Sequence, residues 1–232
     1  MRKIKAPFLS VNPKSYLYGE ESLALAKKSD EISGETGIDI MFTCTYADIR
    51  YIKQNTRNLI VTAQHMDPLK PGRGMGHVLP ESLKEAGAEA VFLNHAEHPL
   101  RLSDLFTTIK RAKEVGINSL VCADSVTEGL ACAKMSPDIL LCEPTDLIGT
   151  GIVADDSYTL EVISKIRAVD PNILIMIASG ITTPEDVYNV IKLGADGTGG
   201  TSGILNAPDP GERIREMAIA IARAAEDRRT KE

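Results

Sequence analysis

Residues 136–143, with the sequence SPDILLCE, show the pattern that decides the fold. The apolar run from Ile139 to Cys142 follows a Ser-Pro-Asp break and predicts a short strand that is buried on both faces. Strands buried on both faces are typical of parallel sheets covered by helices. Glu143 comes next in the chain, so a carboxylate is expected at the C-terminal end of this strand.

Short apolar runs of the same kind alternate with amphipathic segments along the whole chain. The predicted strands are Phe8–Val11, Ile38–Phe42, Leu59–Ala63, Ala90–Leu93, Ser119–Cys122, Ile139–Cys142, Ile173–Ile177 and a weak one near Ala195–Thr201. The predicted helices include Glu21–Ser33, Glu81–Ala86, Leu102–Val115, Glu128–Lys134, Thr159–Ala168, Pro184–Leu193 and a last helix from Pro210 to about Glu226. This alternation predicts a closed (β/α)₈ barrel, and a doubly wound open sheet is the alternative.

Two groups of glycines bear on this prediction. Gly37, Gly87, Gly116 and Gly194 each stand between a predicted helix and the next strand, where a glycine commonly ends a helix. Residues 197–200, with the sequence GTGG, have no bulky side chain to fill a barrel layer, so the eighth strand is the weak point of the prediction.

Length and composition restrict the class of protein. A chain of 232 residues fits one α/β barrel domain covering residues 1–232. A net charge of −6 without a run of like charges argues against nucleic acid or an anionic membrane as a partner, and no stretch approaches the length of a membrane span. The four cysteines lack metal-site or disulfide spacing, so we expect reduced, mostly buried thiols in a cytoplasmic protein.

Polar residues at the predicted strand ends suggest a reaction. Asn12 and Lys14 follow the first strand, His95 the fourth and Glu143 the sixth, and the active site of such a barrel lies at the C-terminal ends of its strands. A cation, an imidazole and a carboxylate are the groups that proton transfer beside a carbonyl requires. Taken singly, each residue also has a structural explanation: a solvated lysine, a hydrogen-bonded histidine or a capping glutamate.

The loops after the last two strands suggest a phosphate site. Gly180 follows the seventh strand, and residues 199–203, with the sequence GGTSG, follow or end the eighth. Small residues leave backbone N–H groups free to face an anion, although two ordinary turns would have the same composition. Pro144 and the two glycines of residues 148–151 predict a hinged lid over about 144–151, directly after Glu143.

With these motifs in order, the chain resembles the triosephosphate isomerase family, and in particular its short archaeal-type branch. The resemblance covers nearly the whole chain and rests on Asn12-x-Lys14, Ala63-Gln64-His65 followed by Asp67-Pro68, residues 76–81 (GHVLPE), Asn94-His95-x-Glu97, and Glu143-Pro144 with residues 148–151 (IGTG). It implies a TIM barrel that interconverts glyceraldehyde 3-phosphate and dihydroxyacetone phosphate.

The resemblance also implies roles for five of these residues in proton transfer. Glu143 would be the base, His95 would polarise the carbonyl as a neutral imidazole, and Lys14 would offset negative charge on the enediolate and the phosphate. Asn12 would orient the substrate, and Glu97 would be a supporting residue of the fourth-strand motif that does not itself touch the substrate.

The resemblance further implies a set of substrate-binding positions around the phosphate. These are Ile148 and Gly149 on the lid, Gly180 after the seventh strand, and Thr201 and Ser202 after the eighth. Closure of the lid would exclude water, which otherwise favours loss of phosphate from the enediolate. No metal or organic cofactor is called for.

Four departures from the family pattern keep other functions open. They are Pro13 in place of an aromatic residue, Met75 in place of a threonine, Ala96 in place of a serine, and Gly199-Gly200 in place of an apolar pair, which could enlarge the phosphate end or the barrel interior. The alternatives are isomerisation of another small phosphorylated sugar and a catalytically weak paralogue that binds sugar phosphates.

The third loop suggests self-assembly. Residues 65–80 are rich in glycine and proline, and we expect Met66, Leu69 and Met75 to be exposed there for insertion into a second subunit. An ordinary long loop would explain the same composition. The expectation is a homodimer or a homotetramer.

Overall fold

The computed structural model describes residues 1–143, 155–178 and 180–230. Eight parallel strands close into a barrel in chain order, and β8 pairs with β1. The strands are β1 Phe8–Val11, β2 Ile40–Cys44, β3 Ile60–Ala63, β4 Ala90–Leu93, β5 Asn118–Ala123, β6 Ile139–Cys142, β7 Leu174–Ile177 and β8 Gly197–Gly200. The predicted (β/α)₈ TIM barrel is therefore confirmed, and the open doubly wound sheet is excluded.

Helices follow the strands around the outside of the barrel. They are α1 Gly19–Thr36, α2 Ile49–Asn55, α3 Pro80–Ala86, α4 Leu102–Val115, α5 Val126–Ala133, α6 Asp156–Val169, α7 Pro184–Leu193, α8 Ser202–Leu205 and α9 Pro210–Arg229. The sequence did not predict α2, α8 or the short 3₁₀ turn at Tyr46–Asp48, because each is too short to show a helical period. No described helix is long and apolar enough to cross a membrane.

The helix-ending glycines were predicted correctly. Gly37, Gly87, Gly116 and Gly194 all have left-handed backbone angles directly after α1, α3, α4 and α7. Their N–H groups donate to carbonyls of the last helical turn, which satisfies acceptors that the helix leaves open. Residues with a side chain would pay a steric cost there, so these four positions fix where the helices stop.

The core has two parts, one between the strands and the helices and one inside the barrel. The inner part is small and contains, among others, Phe8, Met41, Phe92, Leu141 and Met176. The outer part is much larger and takes the alternate residues of the strands together with the inner faces of the helices. All four cysteines are buried and unpaired, as expected.

The glycines of β8 are explained by the neighbouring strand β1. A Cβ atom added at Gly197 would lie 2.2 Å from the ring of Phe8, which therefore fills this part of the inner layer. At Gly199 an added Cβ would lie 2.0 Å from the carbonyl oxygen of Ser10. Neither glycine enlarges the barrel interior, whereas Gly200 borders the cavity described below.

The third loop is held at its base and exposed at its tip. Asp67 and Val78 form two hydrogen bonds across the base of the loop. The Asp67 N–H donates to the Val78 carbonyl at 2.9 Å, and the Val78 N–H donates to the Asp67 carboxylate at 2.6 Å. Arg111 on α4 donates to the carbonyl of Leu69 at 3.1 Å. The expectation that Met66 is exposed was wrong, because its side chain is fully buried, while Leu69 is half-buried and Met75 is fully exposed.

The seam between β1 and β8 generates a stability prediction. Gly199→Ala should lower the free energy of unfolding by about 3 kcal/mol, because its Cβ would collide with backbone that cannot move aside. Gly200→Ala is the matched control, since its Cβ would lie 3.5 Å from the nearest atom, the Ile181 carbonyl oxygen, and should cost less than about 1 kcal/mol. Chemical denaturation measures both, and equal losses would contradict the assignment.

Candidate active site

A cavity of about 430 Å³ opens at the C-terminal ends of the strands. Seven of the predicted site residues line it together: Asn12, Lys14, His95, Glu143, Gly180, Thr201 and Ser202. Glu97 lies beside it, in a smaller cavity of about 200 Å³ that Lys14 and His95 also line. Ile148, Gly149 and the expected lid over 144–151 lie outside the described residues.

The turn after β1 presents Lys14 in an uncommon backbone conformation. Its φ angle is 50°, in the left-handed region that residues with side chains rarely adopt. Its N–H donates to Asn12 Oδ1 at 3.0 Å, and Gln64 Nε2 donates to its carbonyl at 2.8 Å. Thr201 Oγ1 donates to the Asn12 carbonyl at 2.7 Å. The residues that directly follow β1, β3 and β8 thus stabilise a backbone conformation that is unfavourable by itself.

The Lys14 ammonium is paired with Glu97. Nζ lies 2.5 Å from Glu97 Oε1, and this hydrogen bond is the main reason why the pKa of Glu97 lies below its usual value. Because Glu97 is largely exposed, the pair is screened by water and is easily exchanged. An anion entering the cavity can therefore compete with Glu97 for the lysine.

His95 is arranged as a neutral hydrogen-bond donor. Burial lowers its pKa, the Lys14 charge lowers it further, and Glu97 partly opposes both. The N–H of Glu97 donates to His95 Nδ1 at 3.1 Å. Since Nδ1 accepts a hydrogen bond, the neutral ring carries its proton on Nε2.

Glu143 extends the pairing of β6 by one residue. Its N–H donates to the carbonyl of Ala123 on β5 at 2.9 Å, which fixes its backbone directly above the last buried residue of the strand. The residue is half-buried. Its charge is felt by Cys122 and Tyr158: burial raises the pKa of both groups, and Glu143 raises them further.

The loops after β7 and β8 meet at the far side of the cavity. Gly180 has a φ angle of 70°, and α8 begins at Ser202. A Cβ atom on Gly203 would lie 2.4 Å from the Ile181 carbonyl oxygen, so the two loops touch through their backbones. Ser179, which precedes Gly180 in the chain, lies outside the described residues.

Sequence reasoning missed several residues that line the cavity. Ser10, Tyr16, Leu17, Asn206 and Pro210 are among them. Ser10 could have been found, because alternation along β1 puts it on the same face as Phe8 and Asn12. The others reach the cavity only through the placement of the loops, which no pattern in the chain reveals.

No three His, Cys, Asp or Glu side chains among the described residues converge in a way that could hold a metal ion. The described residues instead bring one ammonium, one imidazole, one carboxylate, amides and hydroxyls to the cavity. These groups can move a proton and stabilise an oxyanion.

Comparison with known proteins gives a consistent result. A sequence model of the triosephosphate isomerase family matches residues 7–217. The chain is 35% identical over 216 residues to the triosephosphate isomerase of Methanothermus fervidus, covering 91% of this chain and 97% of the relative. It is 35% identical over 227 residues to that of Methanobacterium bryantii, covering 95% and 100%. It is 35% identical over 228 residues to that of Saccharolobus solfataricus, covering 95% and 99%.

The charges around His95 predict opposite shifts in two variants. Lys14→Met should raise the pKa of His95, because the lysine charge lowers it, and Glu97→Gln should lower it, because the carboxylate charge raises it. In the unsubstituted protein the pKa should lie below 6.5, so the ring stays neutral at pH 7. Titration of the His95 ring by NMR measures all three values, and shifts of the same sign would contradict this electrostatic account.

Proposed function

This chain belongs to the triosephosphate isomerase family, and we propose that it interconverts glyceraldehyde 3-phosphate and dihydroxyacetone phosphate by carboxylate-mediated proton transfer. The observation that carries the proposal is the convergence of Lys14, His95 and Glu143 on one cavity from three different strands. Such convergence at the C-terminal end of a barrel is typical of catalytic residues.

Glu143 would act as the base. Its carboxylate takes the proton from C2 of the aldehyde, the C1 carbonyl oxygen gains the electron pair, and an enediolate forms. The same carboxyl group then returns the proton to C1, while the O2 proton moves to O1. The result is the ketone, and no electron leaves or enters the substrate.

His95 and Lys14 would stabilise the enediolate. A neutral imidazole that holds its proton on Nε2 can donate a hydrogen bond from this nitrogen to the developing oxyanion. The Lys14 ammonium would leave Glu97 and pair with the negative charge of the substrate. This exchange costs little free energy, because water screens the Lys14–Glu97 pair. Asn12 would orient the substrate while its side chain holds the Lys14 backbone.

Backbone N–H groups would bind the phosphate. Gly180, Thr201 and Ser202 belong to loops that line the cavity and touch each other. Ile148 and Gly149 join them on the ground of the family motif, and closure of residues 144–151 would exclude water from the enediolate. In this proposal residues 1–232 work as a single barrel domain.

A second substrate class has one observation in its favour. Gly200 borders the cavity without a side chain, and Tyr16, Leu17 and Leu205 add an apolar wall. A longer phosphorylated aldose would gain room there. The weak-paralogue alternative lacks such support, because a binding protein does not need the three reacting side chains.

Replacement of the base tests the main proposal. Glu143→Gln should lower kcat by a factor of about 10³ or more, because the amide cannot accept the proton, and His95→Gln should lower it about 10²-fold. A coupled assay with glyceraldehyde 3-phosphate measures both, beside a panel of four- and five-carbon sugar phosphates. Activity on a longer sugar phosphate but not on the triose would identify the chain as an isomerase of that sugar. No activity across the panel would support the catalytically weak paralogue that binds sugar phosphates.

We also propose that the chain forms a homodimer or a homotetramer through the third loop, residues 65–80. Met75 is fully exposed at the tip, while Arg111 and the Asp67–Val78 pair hold the base of the loop in place. An exposed apolar side chain on a well-held loop favours insertion into a second copy.

Light scattering at micromolar protein concentration tests the assembly. The unsubstituted chain should give at least twice the monomer mass, and Met75→Glu should lower it, because a charge cannot be buried in an apolar socket without cost. Ile219→Glu is the matched control, since Ile219 is also exposed but lies on α9. A monomeric unsubstituted chain would refute the proposal.

A further inference from the structure

The part of the cavity that the structure describes has little positive charge at its proposed phosphate end. Among the described residues that line it, Lys14 is the one lysine or arginine, and its ammonium is bonded to Glu97. A dianionic phosphate would therefore depend on backbone N–H groups, whose strength as a binding site depends on being held in one arrangement. What holds the loops after β7 and β8 together thus matters for binding.

Arg213 on α9 joins these two loops. Its Nη1 donates to the carbonyl of Thr182, after β7, and to the carbonyl of Gly203, after β8, at 3.2 Å for the latter. One Nη nitrogen carries two hydrogens, so it satisfies both acceptors. On the other edge of the guanidinium, Nε donates to the carboxylate of Glu216, also on α9, at 3.3 Å, which helps to fix the orientation of the guanidinium.

Two further sets of contacts hold the loops after β7 and β8 in place. Gly203 lies so close to the Ile181 carbonyl and the Thr182 Cα that a Cβ atom has no room. On the opposite side, the Asp186 carboxylate accepts from the N–H groups of Thr182 at 3.0 Å and Thr183 at 2.8 Å. The Thr182 peptide is thus held from both of its edges, by a cation on α9 and by an anion on α7.

We infer that Arg213 is a positioning residue that holds the loops after β7 and β8 in the arrangement that binds the phosphoryl group of the substrate. It is not among the described residues that line the cavity, so it acts through the carbonyls of Thr182 and Gly203 and does not touch the substrate. The identity of the substrate in this inference rests on the proposed function, whereas the link that Arg213 makes between the two loops rests on the hydrogen bonds alone.

The experiment compares Arg213→Met with Arg213→Lys and Arg215→Met. Methionine keeps an apolar stem but cannot donate; lysine keeps the charge and can donate to both carbonyls. Arg215 is the matched control on the same helix, since it pairs with glutamates at the surface, Glu35 among them. Thermal unfolding of each variant shows that it is folded before assays begin.

Four quantities distinguish a positioning role of Arg213 from general damage to the fold. Arg213→Met should raise the KM for glyceraldehyde 3-phosphate and the calorimetric Kd for inorganic phosphate by about tenfold, the effect of roughly one net hydrogen bond, with a smaller change in kcat. Isomerisation of glyceraldehyde, which carries no phosphate, should be unchanged. Arg213→Lys should recover part of the loss, and Arg215→Met should behave like the unsubstituted protein.

The inference is overturned by an unchanged Kd for inorganic phosphate in Arg213→Met, by an equal loss with glyceraldehyde, or by the same effect in Arg215→Met. Calorimetry with inorganic phosphate needs no turnover. If phosphate binding weakens in Arg213→Met as expected but the unsubstituted protein does not isomerise the triose, the proposed function fails while the inference on Arg213 stands.

Discussion

The barrel closes where β1 meets β8, and the backbones of these strands approach so closely at Ser10 and Gly199 that no side chain fits between them. The Phe8 ring covers Gly197 and fills the inner layer that β8 leaves open. This seam determines where the residues beyond it lie. Thr201 can donate to the Asn12 carbonyl only because the two strand ends are in contact, and Asn12 in turn supports the Lys14 backbone.

Charge at the cavity is arranged in a chain of exchangeable partners. The Lys14 ammonium is hydrogen-bonded to Glu97. The Glu97 N–H donates to His95 Nδ1, which leaves the ring proton on Nε2, and the Lys14 charge lowers the pKa of His95 and so helps to keep the ring neutral. Such an arrangement suits a protein with a net charge of −6 that binds an anion, because attraction is confined to one site. In the proposed function, the backbone N–H groups of the loops after β7 and β8 would supply the rest of the positive potential, so the rigidity of these loops would matter for binding.

Much of the fold was readable from the chain because its signals are local. The runs Phe8–Val11, Ala90–Leu93 and Ile139–Cys142 were placed correctly, since an apolar run between turn residues has few other structures. The second strand starts two residues later than predicted, because Ile38 and Asp39 are also compatible with extended structure. Met66 was predicted on the wrong side of the third loop, since an apolar residue in a glycine-rich segment gives no indication of which way it points.

The sequence by itself determined the alternation of strands and helices, the glycines that end four helices, and the strand-end positions of Lys14, His95 and Glu143, because backbone angles and apolar periodicity depend on neighbours a few residues away. Only the tertiary structure decided that Phe8 compensates for the glycines of β8, that Lys14 pairs with Glu97, and that Arg213 links two loops. These contacts join residues far apart in the chain, and their geometry exists only after the barrel has closed.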